Sequence, residues 1–157
     1  MASQTNSDES ALIVSSPGPR KGRGAISSAT GRFERRVRVD VDDDWPGDLD
    51  EPAPLRTTVG EDTSRTVIAR NNSPDLPFDR SVNPYRGCEH GCIYCFARPT
   101  HAYLGLSPGL DFETKLFAKP DAPTLLEKEL RKPGYQVAPI AFGTNTDPYQ
   151  PIERERL

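Results

Sequence analysis

Three cysteines constrain this chain more than any other feature, because Cys88, Cys92 and Cys95 fall within one eight-residue loop, CEHGCIYC. They are the only cysteines in its 157 residues. An odd number of thiols does not make a closed disulfide framework, so the loop reads as a ligand set with the spacing C-x3-C-x2-C. A cubane [4Fe–4S] cluster has four corner irons, and thiolates are their usual ligands. Three cysteines leave one iron open, and an open metal can hold a substrate as a Lewis acid. Gly87 and Gly91 give the backbone freedom to wrap closely around a bulky group. The competing reading is zinc in a Cys3His site, with His90 or His101 as the fourth ligand. His90 is cramped inside the loop, whereas His101, six residues after Cys95, has the reach. Spacing favours the cluster and leaves zinc open.

The rest of the composition divides the chain. Apolar residues make up 34% of it and prolines number 16, against roughly 45–50% apolar in globular chains when glycine is counted. Part of the chain therefore buries too little surface to offset its ordering entropy. Residues 1–39 carry seven Lys/Arg against three Asp/Glu; residues 40–62 carry nine acids and one Arg. Such blocks are usually solvated. A charged, disordered tail is expected over residues 1–64, with the folded part over 65–157. Arg32, Arg35, Arg36 and Arg38 could form a nucleic-acid contact arm, but the acidic run beside them cancels much of the attraction to phosphate. No apolar run approaches the ~20 residues that span a bilayer, and MASQTNSDES lacks a secretory signal's basic start and apolar core. A reducing cytoplasmic location is expected.

From Thr66 onward the pattern alternates. Thr66–Ala69 is a strand candidate, Asn71–Asp79 a loop, and Ser81–Gly87 a strand leading into the cysteines. A helix is expected from about Phe96 to Leu104, with Pro99 in its first turn and Gly105 as its stop. Glu113–Lys119 reads as a strand. Asp121 and Pro123 open a second helix that ends near Arg131, with Glu127 and Arg131 as an i,i+4 pair. Ala138–Gly143 reads as a buried parallel strand opening into the polar loop TNTDPYQP. Alternating β and α implies parallel pairing with ligands at the strands' C-terminal ends.

The string NPYRGCEHGCIYCFARPTHAYLG, with FGTNTDPYQPIE downstream, contains C-x3-C-x-aromatic-C. It resembles the radical S-adenosylmethionine superfamily, and within it the spore photoproduct lyase-like or DNA repair photolyase-like branch, over about residues 65–157. The resemblance implies an α/β fold, the N-terminal portion of a partial (β/α)6 TIM-like barrel. It implies that Cys88, Cys92 and Cys95 hold three irons of a [4Fe–4S] cluster. The fourth iron would chelate the amino and carboxylate groups of S-adenosyl-L-methionine, whose reductive cleavage gives a 5′-deoxyadenosyl radical that abstracts hydrogen from a substrate. The electron would come from a donor such as flavodoxin or ferredoxin. Tyr94 matches an aromatic that packs near the adenine; ordinary core packing is its plain alternative. The cofactor's amino group is met in the superfamily by a Gly-Gly-Glu-like segment. That place is held here by Gly143, Thr144, Asn145, Thr146 and Asp147, with Asp147 as the acceptor for an ammonium.

Two departures qualify the resemblance. Spore photoproduct lyase uses a later cysteine as hydrogen donor, and this chain has none after Cys95. A barrel of this kind needs roughly 200 residues by analogy with barrel sizes, so an N-terminal fragment truncated after the second core strand, inactive alone, is expected. Arg98, His101 and Tyr103 read as helix-surface residues, with His101 the one placed to donate near the cluster. Two other classes remain: a non-catalytic iron–sulfur electron carrier, weakened by the missing fourth cysteine, and a zinc-stabilised nucleic-acid-binding module.

Overall fold

The structure is a computed structural model that describes residues 23–34 and 55–156. It is mixed α/β, with two three-stranded sheets. In the first, β1 (Thr58–Glu61) pairs parallel with β5 (Lys115–Ala118), which pairs antiparallel with β4 (Tyr85–Arg86). In the second, β3 (Arg80–Val82) lies between β2 (Ile68–Arg70), antiparallel, and β6 (Ala141–Phe142), parallel. A 3-10 helix (Arg98–Leu104), α1 (Leu110–Thr114), α2 (Ala122–Leu130) and α3 (Glu153–Arg156) complete it.

The strand expected over Ser81–Gly87 is split, and Asn83–Pro84 explains the break. Pro84 has no N–H for a ladder, while its carbonyl accepts from Lys119 N at 2.9 Å. The Asn83 side chain leaves the ladder to bind Asn145 N (2.7 Å) and Thr144 Oγ1 (3.1 Å). The chain thus changes sheets at this dipeptide, and two small mixed sheets replace the expected parallel alternation. The strand expected over Glu113–Lys119 starts two residues late, because Glu113 and Thr114 end α1, whose five residues are all buried. The expected first helix is a 3-10 helix closed by Gly105 at φ 69°. α2 starts after Asp121 as expected, but the Asp121 side chain makes no capping hydrogen bond. Glu127 and Arg131 pair at 2.6 Å on an exposed face, which stabilises by only a few tenths of a kcal/mol.

Ordered structure also begins before the expected boundary at residue 65. β1 sits in a sheet, and residues 23–34 pack on the body: Leu110 N donates to Ser27 O at 3.0 Å, and the Ser107 hydroxyl donates to Ala29 O. The expectation of a disordered tail therefore does not hold for these residues. Residues 1–22 and 35–54, including Arg35, Arg36 and Arg38, lie outside the described ones. Arg32 is described, and its guanidinium lies 5.9 Å from the Phe33 ring centroid.

Among the described residues, three small apolar clusters form the core. Val67, Val82 and Ala122 join the second sheet to α2; Tyr85, Ala118 and Ile152 join the first sheet to the C-terminal turn. Cys88, Ala97 and Phe112 form the third, so the cysteine loop is itself part of the packing. Phe112 and Leu116, each 1% exposed, contribute about 2–3 kcal/mol apiece by burial.

His101 lies in this layer rather than on a helix surface. It is fully buried, edge-on to Phe112 with ring centroids 5.2 Å apart, and its Nε2 faces Lys115 O at 2.8 Å. A carbonyl accepts, so Nε2 carries the proton and the buried Nδ1 is left without a partner. Burial pushes its pKa below the usual 6.5, outweighing the favourable contacts of Lys115 and Asp111. A depressed histidine stabilises the fold above the unfolded pKa and loses that contribution as pH falls. Denaturant midpoints between pH 7.5 and 5.5 should therefore drop more steeply for the wild type than for His101→Gln. Parallel profiles would contradict a ring held neutral by the fold.

Candidate functional site

The parallel register of β3 and β6 creates the site. Ser81 faces Ala141 and Val82 faces Phe142, so the two strands end side by side, with Gly143 N donating to Val82 O at 3.0 Å. β3 leads through β4 into the cysteine loop, and β6 leads into TNTDPYQP. The two loops, about fifty residues apart in sequence, line one cavity of about 350 Å³. Cys88, Cys92, Cys95 and His90 come from the first; Gly143, Thr144, Thr146, Asp147 and Pro148 come from the second.

Side chains fasten the loops together. Thr146 Oγ1 donates to Gly87 O at 2.7 Å. Gln150, 1% exposed, donates from Nε2 to Thr146 Oγ1 (3.1 Å) and to Gly87 O (3.4 Å), and its Oε1 accepts from Glu89 N at 3.1 Å. His90 Nε2 stands 3.3 Å from Asp147 Oδ2 across the cavity mouth. Asp147 Oδ1 accepts from Tyr149 N at 2.8 Å, which fixes the turn. Gly87 needs its left-handed φ of 78°: a Cβ there would stand 2.8 Å from Phe112 O and from Leu116 Cδ2.

Beneath the loop, Arg98 reaches Cys92 O with Nε (3.1 Å) and Nη2 (2.9 Å) and pairs with the fully buried Glu113 carboxylate. Arg98 was read as a surface residue; it is a clamp on the loop's backbone.

All three thiols are free. Cys88 is buried, and that burial raises its pKa, against hydrogen bonds from the backbone of His90 and Asp147. Thiolates, not thiols, bind metals, so occupation of this site by metal is coupled to proton release. Among the described residues no three His, Cys, Asp or Glu side chains form a group that would hold a metal ion. Of the two histidines considered as a fourth zinc ligand, His90 lines the cavity, whereas His101 is outside the lining and turned to Lys115 O.

The other expected contacts separate. Thr144 and Thr146 line the cavity, the latter with its hydroxyl committed to Gly87 O. Asn145 instead lines a neighbouring polar cavity of about 220 Å³ with Asp62, Arg86 and Lys119. In that cavity burial opposes the Asp62 carboxylate, yet hydrogen bonds from Arg86 and Ser64 hold its pKa at about 2. Tyr94 is 86% exposed, so it does not pack in the core, and it is not among the residues lining the thiol cavity. Arg98, Glu113 and Gln150 were not singled out as site residues.

Thr146→Val keeps the side chain's shape and removes its hydroxyl, leaving Gly87 O and Gln150 Nε2 without their short contacts. Unsatisfied buried groups cost about 1–3 kcal/mol, so the urea midpoint should fall accordingly. A wild-type midpoint would show that this tether contributes nothing to the fold.

The chain is 52% identical over 82 residues to uncharacterized protein Rv2578c of Mycobacterium tuberculosis and to uncharacterized protein Mb2609c of Mycobacterium bovis. The match covers 52% of this chain and 24% of each relative, so it spans about a quarter of their length. No family model matches the chain, and no solved structure matches it. Among the described residues no helix is long and apolar enough to cross a membrane.

Proposed function

We propose that this chain is the cluster- and cofactor-binding part of a radical S-adenosylmethionine enzyme, built on the first strands of a partial (β/α)6 barrel. The observation that carries the reading is the single cavity with three free thiols on one side and the Gly143–Asp147 turn on the other. The in-register parallel pairing of β3 with β6, and the polar loop at the C-terminal end of β6, support the barrel.

The donor set fits a cubane better than a single ion. Zinc needs every thiolate about 2.3 Å from one point, whereas each thiolate of a [4Fe–4S] cluster binds its own corner iron. Three free thiols on one cavity, with no fourth cysteine among the 157 residues, suit the second arrangement, in which one corner iron is left for a non-protein ligand. When bound, the cluster and S-adenosylmethionine together supply one-electron cleavage of a sulfonium C–S bond and a hydrogen-abstracting radical. The electron comes from a reduced flavodoxin- or ferredoxin-type protein.

This chain's own residues do the holding. Cys88, Cys92 and Cys95 are the metal ligands. Asp147, half exposed and facing His90 across the mouth, accepts from the cofactor's ammonium group. Thr144 borders the same end of the cavity, and Thr146 sets the turn's orientation by its bond to Gly87 O. Phe96, Ala97 and Pro148 form apolar wall. The reading concerns the cluster and its cofactor, and the proposal stops at formation of the radical.

Anaerobic reconstitution of the 157-residue chain tests the reading through binding, which does not require turnover. About four irons per chain, and an EPR signal of the reduced protein that changes when S-adenosylmethionine is added, are expected. Cys88→Ser, Cys92→Ser and Cys95→Ser should each abolish both. A signal indifferent to the cofactor would instead support an electron carrier, and one zinc without iron would support the zinc module.

A further inference from the structure

The segment from Arg23 to Gly31 lies against the cysteine loop, and its first three residues all contact one buried residue, Glu113. Glu113, with no exposed surface, accepts from Gly24 N at 3.1 Å through Oε2 and from Ala25 N at 2.8 Å through Oε1. Its Oε1 also pairs with Arg98 Nη2, and Arg98 in turn grips Cys92 O. Arg23 is the segment's anchor. Its Nη1 donates to the Glu113 carbonyl at 3.1 Å, and its Nη2 donates to Leu55 O and Thr57 Oγ1 at 3.0 Å each. Its side chain, 11% exposed, also stands 3.8 Å from Glu89 of the cysteine loop.

The fit leaves no room for a larger residue. A Cβ on Gly24 would lie 1.8 Å from Gly91 O, backbone of the cysteine loop itself. A Cβ on Gly109 would lie 2.1 Å from Ser27 O. Such close backbone approach is what glycine permits and other residues forbid. Further along, Ser27 O and Ala29 O accept from Leu110 N and Ser107 Oγ, which fastens the segment along α1 and the turn before it.

We propose that Arg23–Gly31 is a clasp whose role is to hold the cysteine loop in its ligand-ready shape, through Glu113 and Arg98 as positioning residues. Neither side chain lines the thiol cavity. Arg98 grips the loop's backbone at Cys92 O, and Glu113 acts on the loop through Arg98 and through Gly24, which stands against Gly91 O. The two amide donors and the guanidinium satisfy a carboxylate that would otherwise be buried without partners, at a cost of several kcal/mol. Removing the clasp exposes that carboxylate to water and frees the loop. Residues 23–31 therefore belong to the cysteine site rather than to a spacer. The clasp's consequence for cluster binding rests on the function proposed above; its effect on the loop does not.

Alkylation of the metal-free, full 157-residue chain, read cysteine by cysteine by mass spectrometry, tests this directly. Arg23→Ala removes the anchor without a clash, Gly24→Ala drives the segment off Gly91, and Leu126→Ala loosens the distant cluster around Val67 and Val82 as the control. Loss of hydrogen bonds to a charged group shifts a local opening equilibrium by about tenfold. Cys92 should therefore react roughly tenfold faster in the two clasp variants, and at the wild-type rate in Leu126→Ala. If Gly24→Ala fails to fold, Arg23→Ala carries the comparison. An unchanged Cys92 rate in Arg23→Ala, or an equal rise in Leu126→Ala, overturns the clasp. In parallel, anaerobic reconstitution should give less iron per chain in the clasp variants than in the wild type, and equal loading would overturn a role in cluster seating. A wild-type chain that takes up no iron would instead sink the proposed function while the alkylation result still decides the clasp.

Discussion

The in-register parallel pairing of β3 with β6 is the constraint on which the site depends. Each strand is only two or three residues long, so the pairing alone supplies little energy. Its effect is geometric. It ends both strands at one edge, so that TNTDPYQP leaves β6 beside Asn83–Pro84, from which the chain runs through β4 into the cysteine loop. Two hydrogen bonds then carry the alignment past the strands: Gly143 N to Val82 O, and Thr146 Oγ1 to Gly87 O. A slip of one residue would turn Val82 out of its apolar cluster and separate both contacts.

Below that edge a second system supports the cysteine loop with buried charge. Arg98 and Glu113 are 13% and 0% exposed, and a pair so placed is weak evidence for stability, since desolvation offsets much of the attraction. Its value here is in fixing position. Glu113 joins three separate segments: the 3-10 helix through Arg98, α1 through its own backbone, and residues 24 and 25 through their amides. Cys88 adds an apolar connection from above by packing on Ala97 and Phe112. The loop is therefore tied at Gly87 and Glu89 by Thr146 and Gln150, and at Gly91 and Cys92 by Arg98 and the N-terminal segment.

Local signals were legible wherever one residue decides the outcome. Gly105 ends the helix after the cysteines, Pro123 sits in the first turn of α2, and TNTDPYQP leaves a strand as a polar loop. The thiols and the Thr144–Asp147 segment could be assigned to one site only through a family resemblance, and the structure independently brings Thr144, Thr146 and Asp147 to the thiol cavity. What was not legible depends on distant partners. Glu113 in ETKLFAK satisfies strand alternation, and only Arg98 and the amides of residues 24 and 25 show why it ends a helix instead. Arg98 and Gln150 look like surface residues in isolation, because their acceptors lie many residues away. Composition also misjudged residues 23–31: small residues were read as disorder, yet glycine at 24 is required by contact with Gly91. Tyr94 was placed by motif position alone, and its ring is exposed to solvent rather than packed in the core.

The central claim is that three thiols on one loop hold a cluster whose remaining corner faces the Gly143–Asp147 turn. Mössbauer spectroscopy of the chain reconstituted with iron-57 tests it most directly. The account predicts one iron distinguishable from the other three, and a change confined to that iron when S-adenosylmethionine is added. Four irons that respond alike, or no iron bound at all, would contradict it.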